Sequence, residues 1–416
     1  MVEDGSPALL SDELASRARE ALDALSTALS ALAPTPPDEP SLAVGAAGLA
    51  LAHAYLGPLF PGRGHEDGAA AALVRAARQL ETRRVAPWLF QGMAGVAWVQ
   101  EHLAAAEEGA DDAGDEVDVR LREVVEAARP LPFEWMHGIA GLAVYARERA
   151  SRPSGRALLE AISARLVTSA SASEEGTFWM TDPAWAPPQM GTEAHVNLGF
   201  AHGDPGAITA LACAVQSEAA SPRARDVLAS ACRWLVAQRL DASNDAWFGV
   251  SSSAHTPSKT AWCYGDPGVA WSLLVAGRAL GDDAICGEAV AIAKHAAARS
   301  FEATRVKDAA FCHGAAGLAH VFHRMYRATG DVPLADAARA WLSRTLSMRA
   351  TQGGFAGFRA WAPTAPGVFA WRDDPSLLNG AAGIALVLAG ALEPASLDWD
   401  RALLGPCPAG ARMARG

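Results

Sequence analysis

The sequence predicts an all-α protein: an α/α toroid, or double helical barrel, of seven helix hairpins, with small β-containing insertions in its long connections. Three observations predict it. Seven Gly-x-x-Gly elements each open an apolar, Ala-rich run, and a second helical pattern lies between successive elements. The chain also carries 38 glycines although it is otherwise rich in helix formers. Glycine weakens a helix interior by up to about 1 kcal/mol relative to alanine, so such an excess needs a structural reason.

In chain order, the N-terminal helix is expected over 11–33, with Leu22, Leu25, Leu29 and Leu32 along one stripe. A Pro-rich link, 33–40, follows. The glycine pairs are then Gly45/Gly48, Gly92/Gly95, Gly138/Gly141, Gly203/Gly206, Gly265/Gly268, Gly314/Gly317 and Gly380/Gly383. Their first members are spaced by 47, 46, 65, 62, 49 and 66 residues. Between them run stripes such as Val117-Leu121-Val124-Ala128, Leu158-Ile162-Leu166 and Val227-Ala231-Trp234. Each repeat therefore reads as an inner helix opened by small residues, which let neighbouring backbones converge, and a charged, amphipathic outer helix. The seventh repeat has no outer partner of its own. The N-terminal helix supplies one, so that 1–416 forms a single domain.

Three connections are longer than the rest: 169–197, 241–261 and 351–377. They hold Trp179, Trp185, Trp247, Trp361 and Trp371 among Pro, Gly and Ser. All lead into the glycine end of an inner helix, so they are expected to wall one mouth of the barrel. The alternative is plain surface loops with locally packed tryptophans.

Composition narrows the function. Half of the 416 residues are hydrophobic, 19% are charged, and 35 Lys+Arg face 46 Asp+Glu for a formal charge of -11. That balance, without a long basic run, argues against a nucleic-acid binder. No apolar run reaches the roughly 18 residues of a membrane span, and the acidic start lacks a secretory pattern. A cytoplasmic protein is expected. Six cysteines do not make a disulfide scaffold.

Stacking the repeats on their first glycine aligns the residues that carry chemistry. One position before it stand Val44, Gln91, His137, His202, Tyr264, His313 and Asn379. Two before stand Ala43, Phe90, Met136, Ala201, Cys263, Cys312 and Leu378. In a closed ring these positions share one height. Cys263 and Cys312 are then equivalent residues of adjacent repeats, with His313 beside one of them. Two thiolates and an imidazole suit Zn²⁺, and three protein ligands leave a fourth position open for a substrate. The bland alternative is two buried thiols and a capping His.

The motifs WCYGDPG (262–268), FCHGAAG (311–317) and NLGFAHGDPG (197–206) resemble the signatures of the lanthionine synthetase C (LanC) family. SLAVGAAGLAL (41–51) and SLLNGAAGIALVL (376–388) resemble its end repeats. The resemblance covers nearly the full chain in order. It implies a free-standing cyclase of bacterial lanthipeptide pathways, cytoplasmic or peripheral to a membrane-associated synthetase complex, without a fused dehydratase domain. It also implies a toroid with one zinc ion held by Cys263, Cys312 and His313. The implied reaction adds a Cys thiol of a precursor peptide to a dehydroalanine or dehydrobutyrine, giving lanthionine or methyllanthionine. The implied partners are a dehydrated leader-plus-core peptide and a separate dehydratase.

The chemistry needs a zinc-activated thiolate, stabilisation of the enolate formed on addition, and a proton for Cα. His202 matches the family's catalytic His and is the expected proton donor; the alternative is a helix-start His bonded to backbone. Tyr264 is a supporting hydrogen-bond candidate. Glu134 stands where the family carries Asp, and is a candidate to orient His202 or relay a proton. Lys259 stands where it carries Arg; it keeps the charge but loses the bidentate fork. His137 reads as a second acid/base group, a partner for Glu134, or a solvated wall. His195 lies near these motifs. Asp204 and Asp266 read as first-turn helix charges, Cys213, Cys232 and Cys286 as core, Cys407 as incidental, and His320 and His323 as too deep for ligands. The competing functions are a zinc-thiolate enzyme adding another thiol such as glutathione, a zinc prenyltransferase, and a non-catalytic peptide scaffold.

Overall fold

A computed structural model describes residues 9–32, 38–104, 114–185, 193–241, 243–365, 367–393 and 397–406. In chain order the helices are α1 (Asp12–Ser30), α2 (Ala46–Leu56), α3 (His65–Thr82), α4 (Met93–Leu103), α5 (Gly114–Glu126), α6 (Ile139–Glu148) and α7 (Pro153–Ser169). A short antiparallel hairpin follows, β1 (Ser171–Ser173) with β2 (Gly176–Phe178), and then α8 (Asp204–Gln216), α9 (Pro222–Ala237), α10 (Asp266–Leu280) and α11 (Asp283–Ala297). The rest are α12 (Phe301–Thr304), α13 (Ala315–Thr329), α14 (Val332–Ser347), a second hairpin of β3 (Ala360–Ala365) and β4 (Val368–Arg372), α15 (Ala381–Leu392) and α16 (Arg401–Leu404). The chain divides into two compact units, Met1–Arg84 with Arg305–Asp400, and Val85–Thr304 with Arg401–Gly416.

All seven expected inner helices form, and each is N-capped by the first glycine of its pair. Of these, α15 is apolar all round and buried from Ala381 to Ala391, the mark of a core helix, whereas α13 also carries His320, His323, Arg324 and Arg327. The outer helices bury one stripe only. In α9 this is Ala224, Leu228, Ala231, Cys232, Trp234 and Leu235.

The two glycines of a pair answer two different close approaches. A Cβ at Gly203 would lie 2.0 Å from the Asn197 carbonyl oxygen, which already accepts the Asp204 N–H. The second glycine faces the neighbouring repeat: a Cβ at Gly268 would meet the Phe200 Cβ at 2.9 Å. Any larger residue there would push adjacent inner helices apart.

In the first unit α1 packs on α15, the outer partner that the seventh repeat lacked. The helix ends at Ser30, so Leu32 lies beyond the Leu22-Leu25-Leu29 stripe and is only half-buried; most of the Pro-rich link lies outside the described residues. In the second unit the buried face of α5 is Asp118-Leu121-Val125, one residue out of phase with the expected stripe. The reason is polar. Fully buried Arg149 draws Asp118 inward through bonds of 2.8 and 2.9 Å, and also pairs with Glu101 and Asp115.

The three long connections dock alike. Backbone N–H groups of Trp179, Trp247 and Trp361 donate to the carboxylates of Asp204, Asp266 and Asp308. Two of these connections carry the β hairpins expected of them. Among the described residues, no helix is long and apolar enough to cross a membrane.

Candidate active site

Within each unit, residues two positions before a first glycine form a backbone ladder. In the second unit Met136 N donates to Ala201 O at 3.1 Å, and Ala201 N to Cys263 O at 3.2 Å. In the first unit Cys312 N donates to Leu378 O at 2.9 Å, and Leu378 N to Ala43 O at 3.0 Å. Within each unit these residues are thus equivalent rungs, as the glycine register requires. Below the rungs of the second unit the rings of Trp135, Phe200 and Trp262 pack in sequence at 5.3 and 5.6 Å and fix the floor.

On that floor Glu134 and His202 meet. The His202 Nδ1 lies 3.0 Å from Glu134 Oε2, and the same carboxylate accepts the backbone N–H groups of Met136 and His137. Burial alone pulls the His202 imidazole down, but the hydrogen bond and charge of Glu134, aided by Cys263, outweigh it. The result is a pKa above the ordinary value, with the Lys259 charge opposing it. With Nδ1 engaged, Nε2 is the atom left to exchange a proton.

His137 stacks on His202 at 5.6 Å and sits 3.7 Å from the other Glu134 oxygen. Its imidazole is held below the ordinary value by burial, with His202 adding to the effect and Glu134 opposing it. The donors of Glu134, His137 and His202 lie within 4.8 Å of one another, a spacing that could hold a cation. Both Glu134 oxygens are already taken by N–H donors, so the cluster is a hydrogen-bonded Glu134–His202 pair with His137 as a flanking ring.

Tyr264, one position after Cys263, has its ring 6.0 Å from that of His202, and its hydroxyl accepts a 2.9 Å bond from Asn197 Nδ2. Asn197 also caps its own turn, its Oδ1 accepting from Gly199 N. The sequence does not reveal this role, since a lone Asn ahead of a helix carries no distinctive signal. Lys259 is half-buried on a segment braced by Arg299, which donates to Ser258 O and Thr260 Oγ1. It acts on His202 through charge rather than contact. Gly265, which follows Tyr264, has φ +109°, a backbone that side-chain-bearing residues rarely adopt.

In the first unit Cys312 and His313 are half-buried on the turn that opens α13. Asp308 shapes it, accepting Ala310 N through its carboxylate and Ala315 N through its carbonyl. Neither Cys263 nor Cys312 is in a disulfide.

The remaining candidates are structural. Cys213 and Cys232 are buried and their thiols are pushed up to about 12 by burial; Cys286 is only half-buried. Asp204 and Asp266 do start helices, but both are buried, and burial raises the Asp204 carboxyl far above the usual range. They anchor loop amides rather than supply exposed first-turn charge. His320 bonds Asp400 at 2.7 Å, and His323 is buried. His195 pairs through its backbone with Thr181. Cys407 lies outside the described residues.

Comparison with known proteins identifies a family and a fold. The profile of the family described as "Lanthionine synthetase C-like protein" matches residues 36–404. Among solved structures, nisin cyclase is similar with a TM-score of 0.73 at 17% identity, over 93% of this chain and 97% of that one. The all-α toroid class expected from the glycine register agrees with that likeness. Curated proteins gave no sequence match.

Proposed function

We propose, since this chain belongs to the lanthionine synthetase C-like family, that it is a zinc-dependent lanthipeptide cyclase. Family membership and the fold shared with nisin cyclase support the enzyme class, lanthionine synthetase. The observation that carries the mechanism is the Glu134–His202 hydrogen bond, one ladder rung from Cys263.

Cys263, Cys312 and His313, aligned by the glycine register of the sequence, are the donor set this reading assigns to the metal. Two cysteines outside any disulfide, with an imidazole, are ligands of the kind zinc prefers, and the equivalent register of the cysteines supports a shared role. Zinc, when bound, supplies a cation that turns a thiol into a fixed thiolate at neutral pH.

The protein's own groups manage the rest. When the peptide sulfur bonds to the β-carbon of a dehydroamino acid, the C=C π pair moves toward the carbonyl and leaves an enolate. Imidazolium His202, favoured by Glu134, donates its Nε2 proton to Cα, and the proton shed by the thiol balances it. Lys259 contributes positive charge near the developing oxyanion, and Tyr264, held by Asn197, lines the same side. The substrate is then a dehydrated precursor peptide, and a separate dehydratase must supply it.

The test is direct. A dehydrated Ser/Thr/Cys-containing peptide should lose free thiol, read by alkylation and mass spectrometry, without a change in peptide mass. The protein should carry about one zinc by elemental analysis, lost in Cys263→Ala/Cys312→Ala. His202→Ala should slow ring closure by roughly 10²–10⁴-fold while keeping zinc. Addition of free glutathione in preference to ring closure would favour the thiol-transfer reading instead.

A further inference from the structure

We propose that a cavity of about 540 Å³ beside His202 binds an apolar side chain of the substrate peptide, at the residue adjoining the dehydroamino acid. The inference rests on the cyclase reading of the Glu134–His202 site.

The cavity lies wholly in the second unit. Its floor is rigid and apolar: Leu131, Phe133, Ile139 and Trp179 are all buried, and the Phe133 and Trp179 rings stack at 6.2 Å. Its rim carries Met180 and Trp185, which are 41% and 38% exposed. Only one other large apolar side chain of that unit, Val119, is exposed among the described residues. Exposed apolar groups gathered round a concave surface mark a binding site, and Met and Trp adapt well to apolar partners.

Continuity with the reaction site identifies the occupant. The small chamber that holds Glu134 and His202 shares three wall residues with the cavity: Phe133, Thr181 and Trp185. A peptide whose reacting carbon sits at His202 places its neighbour about 3.8 Å farther along the chain, at that shared wall. Thr181 is 6% exposed, yet its hydroxyl has no hydrogen-bond partner. A buried hydroxyl in that state calls for a polar ligand group, which a passing peptide backbone supplies.

Charge selects against other occupants. The Arg165 guanidinium donates to the carbonyls of Ala127 and Arg129, and Asp182 caps Ala184 N on the exposed rim. Thr168 and Ser169 hydroxyls bond back to their own helix. Arg165 and Asp182 give the lining one charge of each sign, which favours neither an acidic nor a basic side chain, and the 540 Å³ suits a bulky neutral one.

The probe is a pair of synthetic peptides with one dehydroalanine and an alkylated Cys, identical except for Phe or Ser next to the dehydroalanine. Because neither can cyclise, fluorescence anisotropy reads binding alone. The Phe peptide should bind about tenfold or more tightly than the Ser peptide. Thr168→Trp, which fills the cavity from an exposed helix position, should cut that preference below about twofold, and Trp185→Ala should weaken it. Val119→Ala, away from the cavity, should leave it intact. Equal binding of the two peptides, no binding of either, or a preference unchanged in Thr168→Trp would overturn the proposal. The free-thiol peptides test cyclisation separately, so a preference without ring closure would retire the cyclase reading and leave the apolar site standing.

Discussion

Glu134 shows how one side chain can set both a backbone and a proton. Its carboxylate ties down the N–H groups of Met136 and His137 and still pairs with His202. Glu134→Gln keeps the size and a carbonyl oxygen but loses the charge that raises the His202 pKa. Its imidazolium form should then give way at a lower pH, so the alkaline fall of the cyclisation rate should begin earlier than in the parent. Near pH 7 the rate should drop roughly 10- to 100-fold. A pH–rate profile of both proteins checks it, and an unmoved profile would remove Glu134 from the proton path. Glu134→Ala should also destabilise, by about 1–3 kcal/mol for each buried N–H left without an acceptor. At this scale the sequence was informative for reactive groups. The aligned position before the glycines named His202 and Tyr264, and the resemblance added Glu134. It could not show that Asp204, Asp266 and Asp308 catch loop amides, because a buried carboxylate and a solvated helix-start carboxylate look alike in one dimension.

The first hairpin carries a buried histidine cluster. His53 of α2 and His65 of α3 approach at 2.8 Å, and His65 Nε2 lies 2.7 Å from Ser26 Oγ of α1. Burial, with His65 nearby, lowers the His53 pKa to about 4; burial and Arg63 lower that of His65. The unfolded chain, with histidines near 6.5, therefore binds more protons than the folded one over the window from about pH 6.5 to 4. Stability should be fully present above pH 6.5 and decline as pH falls through that window. His53 alone should cost about 2 kcal/mol between pH 7 and 5. Urea midpoints across that range should fall in the parent, and His53→Leu should flatten the decline. The helices themselves were legible because Gly-x-x-Gly marks an inner start and amphipathic spacing marks an outer face. Their phase was less so. The α5 stripe shifted by one residue because Arg149 buries Asp118, and a long-range ion pair leaves no trace in local periodicity.

Over the whole chain, glycine spacing revealed the repeat but gave no hint of where the C-terminal segment goes. After α15 the chain reads as a short tail. In the structure the carbonyls of Ala402, Leu403 and Leu404 accept the indole N–H groups of Trp135, Trp262 and Trp271, at 3.2, 2.9 and 2.6 Å. These bonds join residues 267, 141 and 133 positions apart, and all lie within the second unit. Two of the three indoles, Trp135 and Trp262, belong to the aromatic floor beneath His202 and Cys263, so α16 supports the proposed reaction site from below. A chain ending at Asp400 should leave all three buried donors without acceptors, at about 1–3 kcal/mol each, and should lower the urea midpoint accordingly. Trp271→Phe removes one donor rather than orphaning it, so beyond the small change in packing it should lose only the net bond, about 1 kcal/mol. If truncation cost no more than that single substitution, the three carbonyls would not be supporting the floor. If it did cost more, ring closure by the truncated chain should fall further than folded fraction alone explains, because the residues holding His202 and Cys263 would have lost their underlying contacts.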